Sequence, residues 1–290
     1  MRELNLDPSL ISYFAEDSEI AQGLTSIDRN GGSNPLIIVV QDVQGHPLNS
    51  KKTYLRLWGL HNTLEDYAEV GTVLSLPTLI AEGKRRPFGF FFSVESILRT
   101  LEKPQYDRIS KSFTTPDRKS GLFLIRMREV GRKSHRLEII GHIEKIVRDH
   151  GFVPTLVGGI YALQGRLSEH IAYSMVFGLG QLIGVFAVIA LIIGRSWQTA
   201  LAMTLSISLI PLCIFGGIGF FRVPVDIISA PAANVAIGMG IDAMIHIVHA
   251  HRRLKKRKTL DKKQAGDLWL RARRQMWEPI ITSMFIVSAG

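Results

Sequence analysis

Residues Ile227 to Ala250 read IISAPAANVAIGMGIDAMIHIVHA, and this stretch decides the fold. It holds one carboxylate, Asp242, two histidines, and no other ionisable group. A carboxylate in hydrocarbon costs roughly 2.5–3.5 kcal/mol on insertion scales unless it is neutralised, paired or hydrated. A chain that keeps one there points to proton or ion movement. The plainer account is a buried Asp satisfied by a neighbouring helix. Asn234, Gly238, Asp242 and His246 recur every four residues, so one helix face carries them all. His246 is the local candidate partner of Asp242, with packing near the interface as its alternative role. Gly238 and Gly240 read as sites of close helix approach.

Working outward, Ile171 to Gly194 and Ser196 to Phe221 carry no charge. About 20 apolar residues cross a bilayer, so both are long enough. With the Asp242 stretch, the expected spans are 171–194, 197–220 and 227–250. Another begins at Pro279 and is cut short at Gly290, giving a truncated helix over 279–290.

Charge sets the expected orientation. The formal net charge is +10, and residues 251–274 hold 11 Lys or Arg against Asp261 and Asp267. Residues 1–170 are nearly balanced, with 22 basic and 20 acidic side chains. The positive-inside rule makes 251–276 a basic cytoplasmic amphipathic segment, with anionic lipid as its natural contact. Its position directly after a span speaks against a nucleic-acid partner. Residues 1–168 then fall on the outer side. They contain no leading apolar segment, so the reading expects a first membrane helix before Met1. The single cysteine, Cys213, rules out an internal disulfide.

Residues 1–168 alternate β-rich and helical runs. Strands are expected at 35–41, 70–76, 121–127 and 153–159. Helices are expected over 52–68, 94–101 and 137–147. The order is βαβ, insert, βαβ, so the fold class is a membrane helix bundle plus an extracytoplasmic α/β ferredoxin-like (split βαβ) domain. Pro77 is taken to end the second strand, and Lys84-Arg85-Arg86 to lie in a solvated loop. No GxGxxG, P-loop, paired Cys or HExxH occurs, so no cofactor or metal is expected and the chain does not read as an enzyme.

The run Gly238-Met-Gly-Ile-Asp-Ala-Met-Ile-His246, the basic His251-Arg252-Arg253, Glu278-Pro-Ile-Ile-Thr-Ser283 and Gly159-Ile-Tyr-Ala-Leu163 together carry a resemblance. The chain resembles the first half of a resistance–nodulation–cell division (RND) superfamily exporter, most similar to its MMPL and Patched-like branch. The resemblance implies proton-driven export of lipids or other hydrophobic molecules, with Asp242 as the relay group. It implies a multi-pass protein of the bacterial inner membrane, with 1–168 periplasmic and 251–276 cytoplasmic. It also implies a second homologous half and a first helix outside this chain. Expected partners are protons, membrane lipids, the hydrophobic substrate and that second half, with room for a homo-oligomer or a periplasmic partner. The branch often has Tyr directly after the relay Asp, where this chain has Ala243.

Two other classes compete. One is a non-transporting lipid or sterol-like sensor, or an assembly subunit of an export complex. The other is an intramembrane aspartyl protease. Gly238-Met-Gly-Ile-Asp242 is one residue longer than that class's Gly-x-Gly-Asp signature, and its chemistry needs a second carboxylate. Asp226 is the only nearby candidate. Asp242, His246 and His249 lack the further ligands a metal site needs.

Overall fold

A computed structural model describes residues 7, 9–85, 91–101, 103–221, 230–256 and 265–289. The chain divides into two compact units, with the boundary between Glu169 and His170.

The first unit is built on four strands: β1 (Asn34–Asp42), β2 (Val70–Leu74), β3 (Ser120–Met127) and β4 (Phe152–Gly158). Their order across the sheet is β2-β3-β1-β4, and every neighbouring pair is antiparallel. Helix α2 (Lys51–Glu65) links β1 to β2 across the intervening β3. Helix α6 (Arg136–Asp149) links β3 to β4 across the intervening β1. Helix α1 (Glu19–Gly31) precedes β1, and α3 (Leu76–Arg85), α4 (Val94–Leu101) and α5 (Asp107–Phe113) form an insert between β2 and β3.

Period-two patterning explains the sheet. Leu36, Ile38 and Val40 of β1 and Phe123, Ile125 and Met127 of β3 are buried on one face. They pack against Leu57, Leu60 and Leu64 of α2 and Ile139, Ile143 and Val147 of α6. Each such side chain contributes about 1.5–3 kcal/mol on burial. The alternate residues Ile37, Val39, Leu122 and Leu124 point to the other face and are only half-buried.

Local signals set the helix ends. The Ser50 hydroxyl accepts from the Thr53 N–H and starts α2. Gly151, at φ 78°, follows α6. Gly159, at φ 91°, turns the chain out of β4, and a Cβ there would lie 2.5 Å from the Pro35 carbonyl oxygen. Only glycine fits that corner.

A buried charged network ties the unit together. Arg136 has 1 % of its side chain exposed, and its Nη2 donates to both Glu129 oxygens at 2.9 and 2.8 Å. Arg136 also pairs with Asp7, and Arg132 Nη1 reaches Asp7 Oδ2 at 2.7 Å. Asn34 Nδ2 donates to Glu129 Oε1 at 2.8 Å and to Gln164 Oε1 at 2.6 Å. Asp28 accepts from the Glu129 and Val130 N–H groups. Arg136 lies over the Tyr161 ring, 5.4 Å from its centroid. Burial lowers the Arg136 pKa to about 10, so it stays charged at neutral pH.

Four long helices, α7 (Ile160–Gly194), α8 (Trp197–Phe221), α9 (Ala230–Lys256) and α10 (Ala265–Ala289), complete the chain; α7 begins in the first unit. Among the described residues, α7 and α8 are long and apolar enough to cross a membrane, their most apolar 18-residue stretches having mean hydropathy 2.6 and 2.1. Arg195, at φ 48°, makes the tight turn between them, and the Ser196 hydroxyl caps α8 by accepting from the Thr199 N–H. Phe186 and Ala190 of α7, Met203 and Ile207 of α8, and Ile237 and Val248 of α9 share a buried cluster.

Several expectations shift. Strand β2 stops at Leu74, because Pro77 sits in the first turn of α3 and helps start it. Lys84 and Arg85 are helical, in the last turn of α3, where cations suit the dipole; Arg86 lies outside the described residues. Helices α1 and α5 were not expected. The helix carrying Pro279 begins at Ala265, well inside the basic segment. Ile227 to Ser229 and residues 257–264 lie outside the described residues.

Candidate functional site

Helix α9 has two contrasting faces. Ile237, Ile241, Met244 and Val248 pack toward the buried cluster that includes Met203, Ile207 and Ile210 of α8. Asn234, Gly238, Asp242, His246 and His249 are all exposed. Spacing by three and four residues produces this division without further help. The polar stripe therefore points away from the packing of α9 on α8.

Asp242 and His246 meet one helical turn apart. His246 Nε2 lies 3.4 Å from Asp242 Oδ1, and their side chains are 62 % and 74 % exposed. Those two exposures decide the chemistry available. A pair sealed in a core would be structural, whereas this pair is open to whatever covers the face. Among the described residues His246 is the only ion-pair partner of Asp242. His249 falls on the same side of the helix, one turn further along. The arrangement sets a carboxylate beside an imidazole on the exposed face of α9.

The two glycines differ in surroundings. A Cβ at Gly240 would meet the tip of the Ile210 side chain of α8. Around Gly238 no atom lies within 4 Å of such a Cβ. Among the described residues, no group of three or more His, Cys, Asp or Glu is placed to hold a metal ion. Asp226, the second carboxylate that aspartyl chemistry would need, lies outside the described residues.

Sequence reasoning missed one contact beside this site. The His251 ring, at the end of α9, stacks on Trp269 of α10 with centroids 3.9 Å apart and planes 10° apart. Leu268 and Ala272 are buried beside it. The signal available was the spacing of Leu268, Trp269 and Ala272 within a strongly basic stretch. A shallow groove of about 490 Å³ runs along α10 past Glu278, Pro279, Thr282, Ser283 and Ile286, and Asp242 does not line it.

A search of curated proteins finds no match to the chain. A sequence model of the MMPL family matches residues 15–287. That span takes in nearly all of the α/β unit and of the long helices, including the Asp242 stripe. By this match the chain belongs to the MMPL family, membrane proteins of the RND superfamily concerned with the transport of hydrophobic substances.

Proposed function

We propose that this chain is the N-terminal half of a proton-driven exporter of lipids or other hydrophobic molecules. The observation that carries the reading is the Asp242–His246 pair, exposed on the face of α9 that turns away from α8. A carboxylate on a bare membrane face is costly. A face of this kind belongs against water or against a second helix bundle, and the second half that the resemblance implies is the cover in this reading. Protonation of Asp242 removes the charge and lets the bundle repack, with His246 as its exchange partner. The chain performs no covalent chemistry in this reading.

The same proposal carries the finer architecture. The antiparallel order β2-β3-β1-β4, with α2 and α6 crossing over single strands, supports a ferredoxin-like porter domain. Helix α9 is the third span and the apolar part of α10 the start of a fourth. The basic residues after α9 favour a cytoplasmic position for that segment, which puts the α/β unit on the outer side of the bacterial inner membrane. Protons, membrane lipids, the substrate and the second half are the partners.

The test is Asp242→Asn in the full-length transporter. Asn keeps the volume and much of the hydrogen bonding but cannot cycle a proton. Export is expected to fall to background at near-normal protein abundance. Near wild-type export at equal abundance would overturn the proton-coupled reading and favour a lipid sensor. His246→Ala is expected to slow export, because it removes the imidazole that lies against the Asp242 carboxylate.

A further inference from the structure

The face of the sheet opposite α2 and α6 is the strongest feature the transport reading leaves unused. Strand register puts three aliphatic residues side by side in one row, Leu74, Leu124 and Ile37. The next row along the strands is Leu122, Val39 and Leu156. Leu74 and Leu156 are 37 % and 53 % exposed. The row before the first places Arg126 between Thr72 and Pro35. The Arg126 guanidinium makes no hydrogen bond or ion pair among the described residues. Among the described residues, the face is thus a small aliphatic surface with the Arg126 guanidinium at one end.

Size decides what fits. Strands lie about 4.8 Å apart and rise about 3.4 Å per residue, so the aliphatic rows cover on the order of 150–200 Å². A stable protein partner needs roughly 800 Å² on each side. The diagonal from Arg126 to Leu156 is roughly 17 Å, the length of one extended acyl chain. A guanidinium also binds carboxylate or phosphate oxygens through paired, charge-assisted hydrogen bonds.

We propose that this open face binds one anionic, single-chain amphiphile, its acyl chain across the Leu124–Ile37 and Leu122–Val39 rows and its head group on Arg126. The site is separate from Asp242. It deepens the export reading by naming a class of cargo, and it rests on that reading only for the bound molecule being cargo.

The test uses the intact chain in nanodiscs of zwitterionic lipid, with no proton gradient. The probe is a 16-carbon fatty acid carrying a diazirine near its tail, with adducts mapped by mass spectrometry. Adducts are expected on the β1 and β3 peptides that hold Ile37, Val39, Leu122 and Leu124. Labelling is expected to drop about ten-fold in Arg126→Gln, to persist in Arg126→Lys, and to vanish in Leu124→Asp, whose side chain lies off the core. The matching 16-carbon alcohol is expected to label about ten-fold less. Equal labelling by acid and alcohol, no response to Arg126→Gln, or adducts confined to the long helices would each overturn the site. So would a loss of dimer mass on Leu124→Asp, which would make the face a contact between copies. Labelling that fails while Asp242→Asn still blocks export overturns this site alone. Labelling that succeeds while Asp242→Asn exports normally overturns the proton-coupled reading alone.

Discussion

His61 shows how one side chain links burial to a measurable property. It is 5 % exposed, its Nδ1 lies 3.0 Å from Ser75 Oγ, and its ring stacks on Trp58 at 5.6 Å. Burial holds its pKa below the ordinary histidine value, and Glu65, 3.6 Å away, opposes that only in part. The unfolded chain takes up the proton below about pH 6.5, where the folded chain still resists it. Stability from this group is therefore present above about pH 6.5 and is lost as pH falls toward the folded value. Melting temperatures between pH 7.5 and pH 5.5 are expected to fall more steeply for the native chain than for His61→Gln. Identical slopes would show that His61 does not carry this dependence. Nothing in the sequence marks His61 as buried beyond its place four residues after Leu57, since helical spacing shows a face and not its depth. Asp242 was easier to find, because a lone charge in an apolar run stands out without any knowledge of packing.

Arg136 matters through the elements it joins. Through Glu129, Asn34, Asp7 and Tyr161 it connects the ends of β3 and β1, the segment before α1, and the first turn of α7. Arg136→Met leaves Glu129 and Asp7 buried with fewer partners, and removing one member of a buried ion pair costs about 3–5 kcal/mol. Denaturant unfolding of the intact chain is expected to show a loss of that size. Glu129→Met added to Arg136→Met is expected to recover part of it, because the stranded charge goes too. A loss under about 1 kcal/mol in the single variant, the range of an exposed pair, would mean the network is solvated. Sequence patterning located strands β1 and β3 to within a residue, because a half-buried strand alternates visibly. It overran β2 by reading Pro77 as a stop when proline also begins helices, as in α3. It missed α1, although Ser18 caps that helix by accepting from the Ala21 N–H. The charged network was beyond reach, since Asn34 pairs with residues 95 and 130 positions away.

Orientation is a property of the assembled protein, and charge alone supplies its expectation. Eleven basic residues between 251 and 274 against a nearly balanced 1–170 predict opposite sides for the two regions. In the full-length transporter, reporter fusions after Ser120 are expected to be active only in the periplasm, and fusions after Lys262 only in the cytoplasm. The reverse pattern would invert the proposed topology and with it the direction of transport. The outer strands of the sheet carry a last consequence. Each has a hydrogen-bonded sheet neighbour on one side only. Strand β2 is only five residues long, while β4 holds Pro154, which lacks an N–H, beside a break in register between Val39 and Val40. Short, proline-bearing and bulged edges are poor templates for strand addition. At the local concentrations of a crowded membrane surface, copies of the α/β unit are thereby protected against joining edge to edge into aggregates.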